Sequence, residues 1–338
     1  MGQGQMTRQN DVVVVTGASA GVGRAVAQAL ARRGARIGLI ARNEAALEEL
    51  AAQLRANGAA AALPLPCDVA DSDAVFAAAD RAEAELGPID AWVNNAMVTI
   101  FGPIHDIAPA EFRRVTEVTY LGTVHGTMAA LRHMRPRSRG TILQVGSALA
   151  YRGIPMQAPY CGAKHAIVGF TDALRSELRH ENSGIAVTEV HLPAVNTPQF
   201  AWARTRMPRM PRPAGAPVTP QVAAGAILAA LDNPVREHWL GNGTLTAILG
   251  GMLAPGLADR YLARTAVEGQ MDETPLPTPR EGNLFRPVTN VEPAFGPYAG
   301  EASHSALRVS GTAARYGAAA AVATLAWGVG LLMGRRGR

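Results

Sequence analysis

Apolar positions along the first 240 residues fall into two alternating rhythms. Short runs of β-branched and other apolar residues, with no polar residue between them, are separated by longer alanine-rich stretches whose apolar positions recur three or four apart. "DVVVVTG" predicts a buried strand and "GVGRAVAQALARRG" a helix closed by Gly34. "ARIGLIAR" predicts a second strand, and "NEAALEELAAQLRANG" a helix with Asn43 as its N-cap and Gly58 as its stop. The alternation continues through "AALPLPCDV", a helix from Asp71 to Leu86, "IDAWVNNA", a long helix from about Pro109 to Met134, "GTILQVGS", a helix from Pro159 to Glu181, and "GIAVTEVHL". Strands without polar alternation must be covered on both faces, so the expected fold is α/β with a doubly wound parallel sheet. Ligands of such sheets bind beyond the carboxyl ends of the strands, which directs attention to the residue or two after each strand.

The first such turn reads "TGASAGVG", Thr16 to Gly23. Glycines at 17, 21 and 23 let the chain turn tightly and bring a phosphate close to a helix N-terminus, whose free N–H groups and dipole favour an anion. A strand-to-helix corner without a ligand would also accept them. After the second strand stands Arg42, with no carboxylate to grip a ribose 2′-hydroxyl. An arginine there pairs with a 2′-phosphate, as Arg24 beside the glycine turn would also do, which favours NADP(H) over NAD(H); the plain alternative is a solvated arginine. Asp68, after the third strand, is either an acceptor for an adenine amino group or the cap of the next helix.

Composition narrows the class. With 48% apolar and 17% charged residues the chain is globular, and a formal net charge of +5 with only 5% aromatics argues against a nucleic-acid surface built on base stacking. Two cysteines, Cys67 and Cys161, make no disulfide framework and suit a reducing compartment; the histidines have no metal-ligand spacing, so no metal is expected. No secretory signal opens the sequence, and the NADP(H) preference leads to the expectation of a cytoplasmic catalytic domain. One count stands out: 32 basic residues include a single lysine, Lys164, four residues after Tyr160 and therefore on the same helix face.

"TGASAGVG", "CDV", "NNA", "GSALAY" with Ser147 thirteen residues before Tyr160, and "YCGAK" stand in the order and spacing of the short-chain dehydrogenase/reductase superfamily, which residues 11–240 resemble. The resemblance implies a Rossmann-type three-layer sandwich and an oxidoreductase that moves a hydride between NAD(P)(H) and a ketone, aldehyde or secondary alcohol. It implies Tyr160 as general acid or base, Ser147 as a hydrogen-bond donor to the substrate oxygen, and Lys164 as the cation that favours the phenolate. It carries cofactor contacts onto Gly17, Ser19, Gly21, Val22, Gly23, Arg42, Asp68, Val69, Asn94, Ala96, Tyr160, Lys164 and Thr197, with Asn94 also helping to hold the central sheet. Three departures are visible: Met97 stands for a glycine after "NNA", Ala194 for a glycine after Pro193, and Thr119 for the fourth catalytic residue, an asparagine. The threonine hydroxyl is expected to replace part of the proton relay. A cofactor-binding regulatory or membrane-tethered scaffold with lapsed catalysis is the alternative. Cys161, beside Tyr160 but turned about 100° round the helix, is expected to be packing.

Residues 198–220 hold six prolines and four arginines and are expected to form a substrate lid, whose charge would suit an acidic ligand or only solvent. The superfamily pattern ends near 240. Residues 241–312 then form an extension whose apolar first part would pack on the core or in a homo-oligomer, followed by a proline-rich connector. Residues 316–334 carry no charge and are flanked by arginines, and a helix there would be about 28 Å long, so 313–338 is expected to be a C-terminal membrane anchor or a docked helix. Residues 1–10 are expected to be disordered.

Overall fold

The computed structural model describes residues 10–276, 280–288 and 295–336. The strands are β1 (Val12–Thr16), β2 (Arg36–Ala41), β3 (Ala61–Pro66), β4 (Ile89–Asn94), β5 (Ile100–Phe101), β6 (Gly140–Ser147), β7 (Ile185–Leu192), β8 (Arg204–Thr205), β9 (Arg209–Pro211), β10 (Glu237–Leu240), β11 (Met271–Pro275) and β12 (Arg308–Ser310). The helices are α1 (Gly21–Ala31), α2 (Glu44–Ala56), α3 (Ser72–Leu86), α4 (Pro109–Thr116), α5 (Gly122–Met134), α6 (Ala158–His180), α7 (Gln199–Trp202), α8 (Pro220–Asp232), α9 (Asn242–Leu253), α10 (Pro255–Thr265) and α11 (Gly311–Arg336).

Among the described residues, eight strands form one sheet in the order β12-β10-β7-β6-β4-β1-β2-β3. Every pairing in it is parallel except that of β12 on β10. The crossover between β3 and β4 reverses the direction of winding, so the loops after β1 and β4 open a crevice at the carboxyl edge. Successive valines of β1 serve opposite faces: Val13 and Val15 join the core under α1, α2 and α8, while Val12 and Val14 join the core under α3, α5 and α6. This explains the unbroken apolar run. Asn43 caps α2 by accepting from the Ala46 N–H at 3.1 Å, as its position predicts. Asp71, not Asp68, caps α3.

The long helix over 109–134 is continuous but not uniform. One wide π-helical turn, Glu117–Leu121, joins α4 to α5, and Thr119 sits at its centre. The extension beyond residue 240 is integrated with the sheet, supplying its edge strand β12, and β11 pairs with β9 in the lid region. Among the described residues no helix is long and apolar enough to cross a membrane. The bilayer anchor expected over 316–334 is therefore not supported: six alanines and four glycines make the segment only weakly apolar, and the helix that contains it, α11, begins against β10, with Gly311 close to Trp239 and Arg315 paired with Glu237. The disorder expected for residues 1–10 falls almost wholly outside the described residues.

Candidate active site

A cavity of about 1650 Å³ runs along the carboxyl edge of the sheet, from the glycine turn to Tyr160 and on beneath α9 and α10. Its floor is built by short-range chemistry. Gly17 has φ +67°, and a β-carbon there would lie 2.8 Å from the Ala96 Cα, so only glycine fits. The turn is fastened to the loop after β4: Asn95 donates from Nδ2 to the Thr16 carbonyl (2.9 Å), and the Thr16 hydroxyl accepts from the Asn95 and Ala96 N–H groups (2.9 and 3.0 Å). The N-cap of α1, Ala20, has no side-chain acceptor, which leaves the first N–H groups of the helix for a ligand. Ser19, Gly21 and Val22 line the cavity here, with Thr197 opposite. The donors, the dipole and the close backbone approach fit a dinucleotide pyrophosphate.

Arg42, Asp68 and Val69 also line the cavity, as does Ala96 beside the glycine turn. Arg42 is held by a strap from the extension, donating from Nη2 to the Asn283 carbonyl (2.6 Å) and from Nη1 to that of Leu284 (3.4 Å). Its pKa is lowered by burial, with Asp68 acting against and Arg114 with that effect. Asp68 forms an ion pair with Arg114, which also donates from Nε to the Leu284 carbonyl (3.2 Å).

Ser147 ends β6, and Tyr160 and Lys164 follow one turn apart on α6. The Ser147 hydroxyl is hydrogen-bonded to Tyr160 and accepts from the Leu149 N–H at 3.1 Å. Burial holds the Tyr160 phenol above its ordinary pKa, opposed by the Ser147 hydrogen bond. Lys164 is buried, lies 5.7 Å from the centre of the Tyr160 ring and donates to the Val145 carbonyl at 2.6 Å. Burial pulls its pKa down to about 8, with Glu189 pulling the other way. The three side chains that the motifs single out thus meet on one wall of the cavity.

Four expectations need correction. Arg24 is buried and turned away from the cavity, donating to Gln53 (2.8 Å) and Glu49 (3.2 Å), because α1 presents that position to α2. Asn94 does not line the cavity: it is bonded to Trp92, Thr127 and Gln144 inside the molecule, and the residue after it, Asn95, faces the site. The Thr119 hydroxyl is fully buried and committed to the Val98 backbone, donating at 2.9 Å and accepting at 3.2 Å, so it stabilises the wide turn and does not reach the cavity. Nor are the lid arginines offered to an acidic ligand. Arg204 and Arg206 pair with Glu111, Arg209 with Glu268 and Arg212 with Glu301.

Gly23 does not line the cavity; a side chain there would collide with the Gly17 carbonyl. Met97 does line it. Cys161 is buried, with its thiol pKa raised by burial, and Cys67, at the cavity edge, is pushed up to about 12 by burial, then by Asp68 and Asp71. Neither is a ready nucleophile. Sequence reasoning missed the strap at Asn283 and Leu284 and the walls made by α9 and α10. No motif marks them; the only signal was that "GTLTAILGGMLAPG" is more apolar than a surface needs.

A family model described as short chain dehydrogenase matches residues 11–207, more than half of the chain. An uncharacterized oxidoreductase, YxnA, of Bacillus subtilis is 34% identical over 279 residues, covering 82% of this chain and 78% of that protein. Dehydrogenase/reductase SDR family member 7B of Bos taurus is 34% identical over 268 residues, covering 76% of this chain and 82% of the relative. Among solved structures, an alcohol dehydrogenase of the archaeon Thermococcus sibiricus, complexed with 5-hydroxy-NADP, superposes with a TM-score of 0.60 at 27% identity, over 68% of this chain and 96% of that one. The protein is an oxidoreductase that belongs to the short-chain dehydrogenase/reductase superfamily.

Proposed function

We propose that the chain is an NADP(H)-dependent reductase of ketones or aldehydes with a sizeable apolar body, reversible toward the secondary alcohol. The observation that carries this reading is the convergence of Ser147, Tyr160 and Lys164 on a cavity that leads back to an uncapped helix N-terminus at a glycine turn. Gly17, Ser19, Gly21 and Val22 would hold the pyrophosphate, Asp68, Val69 and Ala96 the adenine, Arg42 the 2′-phosphate, and Lys164 and Thr197 the nicotinamide end. Bound NADPH supplies the hydride.

The rest of the chemistry belongs to the chain. With its pKa raised by burial, Tyr160 is protonated at neutral pH, so it is poised to give its proton to an oxygen that becomes an alkoxide. The Ser147 hydroxyl, already bonded to that phenol, donates to the same oxygen and stabilises its developing charge. The Lys164 ammonium stabilises the phenolate left behind. Arginine would bring a flat five-donor fork into a buried site where one backbone carbonyl meets the ammonium, which accounts for the single lysine. The preference for NADP(H) rests on Arg42, fixed by the strap carbonyls with no carboxylate in its place.

Leu149, Ile154, Phe200, Ala247, Ala254 and Leu257 line the part of the cavity beyond Tyr160, and the lid arginines are neutralised. That wall suits an apolar substrate and not an acidic one. A scaffold with lapsed catalysis is not favoured. The test titrates NADPH and NADH by fluorescence and then measures turnover of carbonyls of graded chain length. The reading expects tighter NADPH binding, weakened in Arg42→Glu, and kcat/KM that rises with chain length. No turnover of any carbonyl, or the highest kcat/KM for the shortest or an acidic one, contradicts it.

A further inference from the structure

Behind Ser147 and Lys164 lies a buried cluster that the reductase mechanism does not use. Glu189 and His191 are two residues apart on β7 and share a face. The parallel register sets Glu237 of β10 beside Glu189, and Trp239 beside His191. All four are almost wholly buried. Two carboxylates and an imidazole packed together repel or stay unsatisfied unless charge reaches them.

Two arginines supply part of it, while Glu189 Oε2 and His191 Nε2 have no hydrogen-bond partner among the described residues and burial pushes the Glu189 carboxyl up to about 8. Arg175 of α6 donates to Glu189 at 2.9 Å. Arg315, on the first turn of α11, pairs with the other oxygen-rich end of the cluster, donating to Glu237 and, at 3.1 Å, to the Tyr151 hydroxyl. Its guanidinium lies 5.0 Å from the centre of the Trp239 ring and 5.6 Å from that of Tyr151. Glu237 also accepts from the Tyr151 hydroxyl (2.9 Å) and from the Trp239 indole (2.8 Å).

Tyr151 is the link to the active site. It closes the single turn that follows Ser147, and its ring stands edge-on to His191 at 5.0 Å. His191 Nδ1 lies 3.2 Å from the Ser147 carbonyl, and a β-carbon at Gly146 would collide with the imidazole. Arg315, Glu237, Tyr151 and His191 thus form one packed chain from the C-terminal segment to the backbone of Ser147.

We propose that Arg315 is a positioning residue for the reaction: by clasping Glu237 and Tyr151 it fixes the turn that carries Ser147, so the C-terminal segment completes the active site. The inference rests on the reductase reading. The charged and titratable groups facing the clasp are Glu189 and His191 from β7, Glu237 from β10, Arg236 before it, Tyr151, and Lys164, Asp172 and Arg175 from α6. Burial works against an ionised Glu237, yet the Arg315 hydrogen bond, with support from His191 and Trp239, holds its pKa near 2. His191 is kept neutral, near 4, by burial. Without Arg315, Glu237 takes up a proton at a higher pH and the carboxylate that orients Tyr151 is lost.

The test uses the full chain with Arg315→Gln, in the direction of carbonyl reduction at saturating NADPH. We expect kcat to fall about tenfold while the Kd for NADPH stays within about twofold. Activity of the variant should drop further below about pH 6.5, where wild type is level. Millimolar guanidinium ion should restore part of kcat, and sodium at the same ionic strength should not. Tyr151→Phe, which removes only a hydroxyl, guards against a folding defect and should lower kcat in the same direction.

A substrate-free readout separates this idea from the reductase reading. Indole fluorescence of Arg315→Gln should show a proton-linked step in the same pH range, absent in wild type and abolished by adding Trp239→Phe. If wild type reduces carbonyls while Arg315→Gln matches it in kcat and pH profile, the inference fails and the reductase reading stands. If no carbonyl is reduced, the reductase reading fails and the catalytic role of Arg315 with it. A missing fluorescence step overturns the clasp.

Discussion

Lys164 stands where three demands meet: burial, a positive charge, and a donor count that the site can satisfy. Burial brings its pKa to about 8 and lifts that of Tyr160 above its ordinary value. The sign for catalysis follows. Below pH 8 the phenol is protonated and the ammonium charged, the pair that carbonyl reduction needs. As pH rises through about 8, Lys164 loses its proton, the phenolate product loses its partner, and reduction slows. A pH profile of kcat for reduction should therefore be level near neutrality and fall on the alkaline side, and a rate that climbs through pH 8 would contradict this. Lys164→Arg keeps the charge but not the fit and should lose at least about tenfold in kcat. Rates equal to wild type would show that the fit is irrelevant.

At the scale of elements, the site hangs on how strands end and how loops are pinned. The glycine turn, the Ser147 strand end and the Tyr160–Lys164 helix face were all legible in the sequence, because each depends on neighbours within a few residues. Partnerships across long separations were not. The lid looked cationic because Arg204 and Arg206 lie more than ninety residues from Glu111, with which both pair, and Arg204 more than seventy from its second partner, Glu281. Arg24 looked like a phosphate ligand because the helix face it occupies depends on where α2 packs. Of the two roles expected for Asn94, holding the sheet stands through its bond to Gln144, while the adjacent Asn95, not Asn94, lines the crevice, because a strand that alternates faces sends only one of the pair toward it.

Glu111 also accepts from the Ala108 N–H at 2.8 Å, so one buried side chain caps α4 and anchors the lid. Glu111→Gln preserves the size and removes the charge. It should cost about 2 kcal/mol of stability, raise KM for the carbonyl more than it lowers kcat, and speed proteolysis within 199–212. An unchanged KM and cleavage rate would show that the lid holds without it. Asp71→Ala, which deletes the cap of α3 outside the cavity lining, should lower stability by about 1 kcal/mol and leave KM alone.

On the scale of the whole molecule, the extension beyond residue 240 is built into the sheet and the cavity wall. It supplies the edge strand β12, the strap that fixes Arg42, the α9 and α10 walls of the cavity, and Arg315. The apolar stretch after residue 240 pointed to a helix packed on the core, as α9 is, but the edge strand, the strap and Arg315 carried no mark in a proline-rich stretch and an alanine-rich tail. The central claim is that Tyr160 gives up the proton while hydride is transferred from NADPH. It is tested most directly by loading wild type and Tyr160→Phe with NADPH, adding a carbonyl substrate, and following one turnover by nicotinamide absorbance. The account predicts that both bind NADPH alike and that the variant is slower by about 100-fold or more. A Tyr160→Phe chain that oxidises NADPH at the wild-type rate would contradict it.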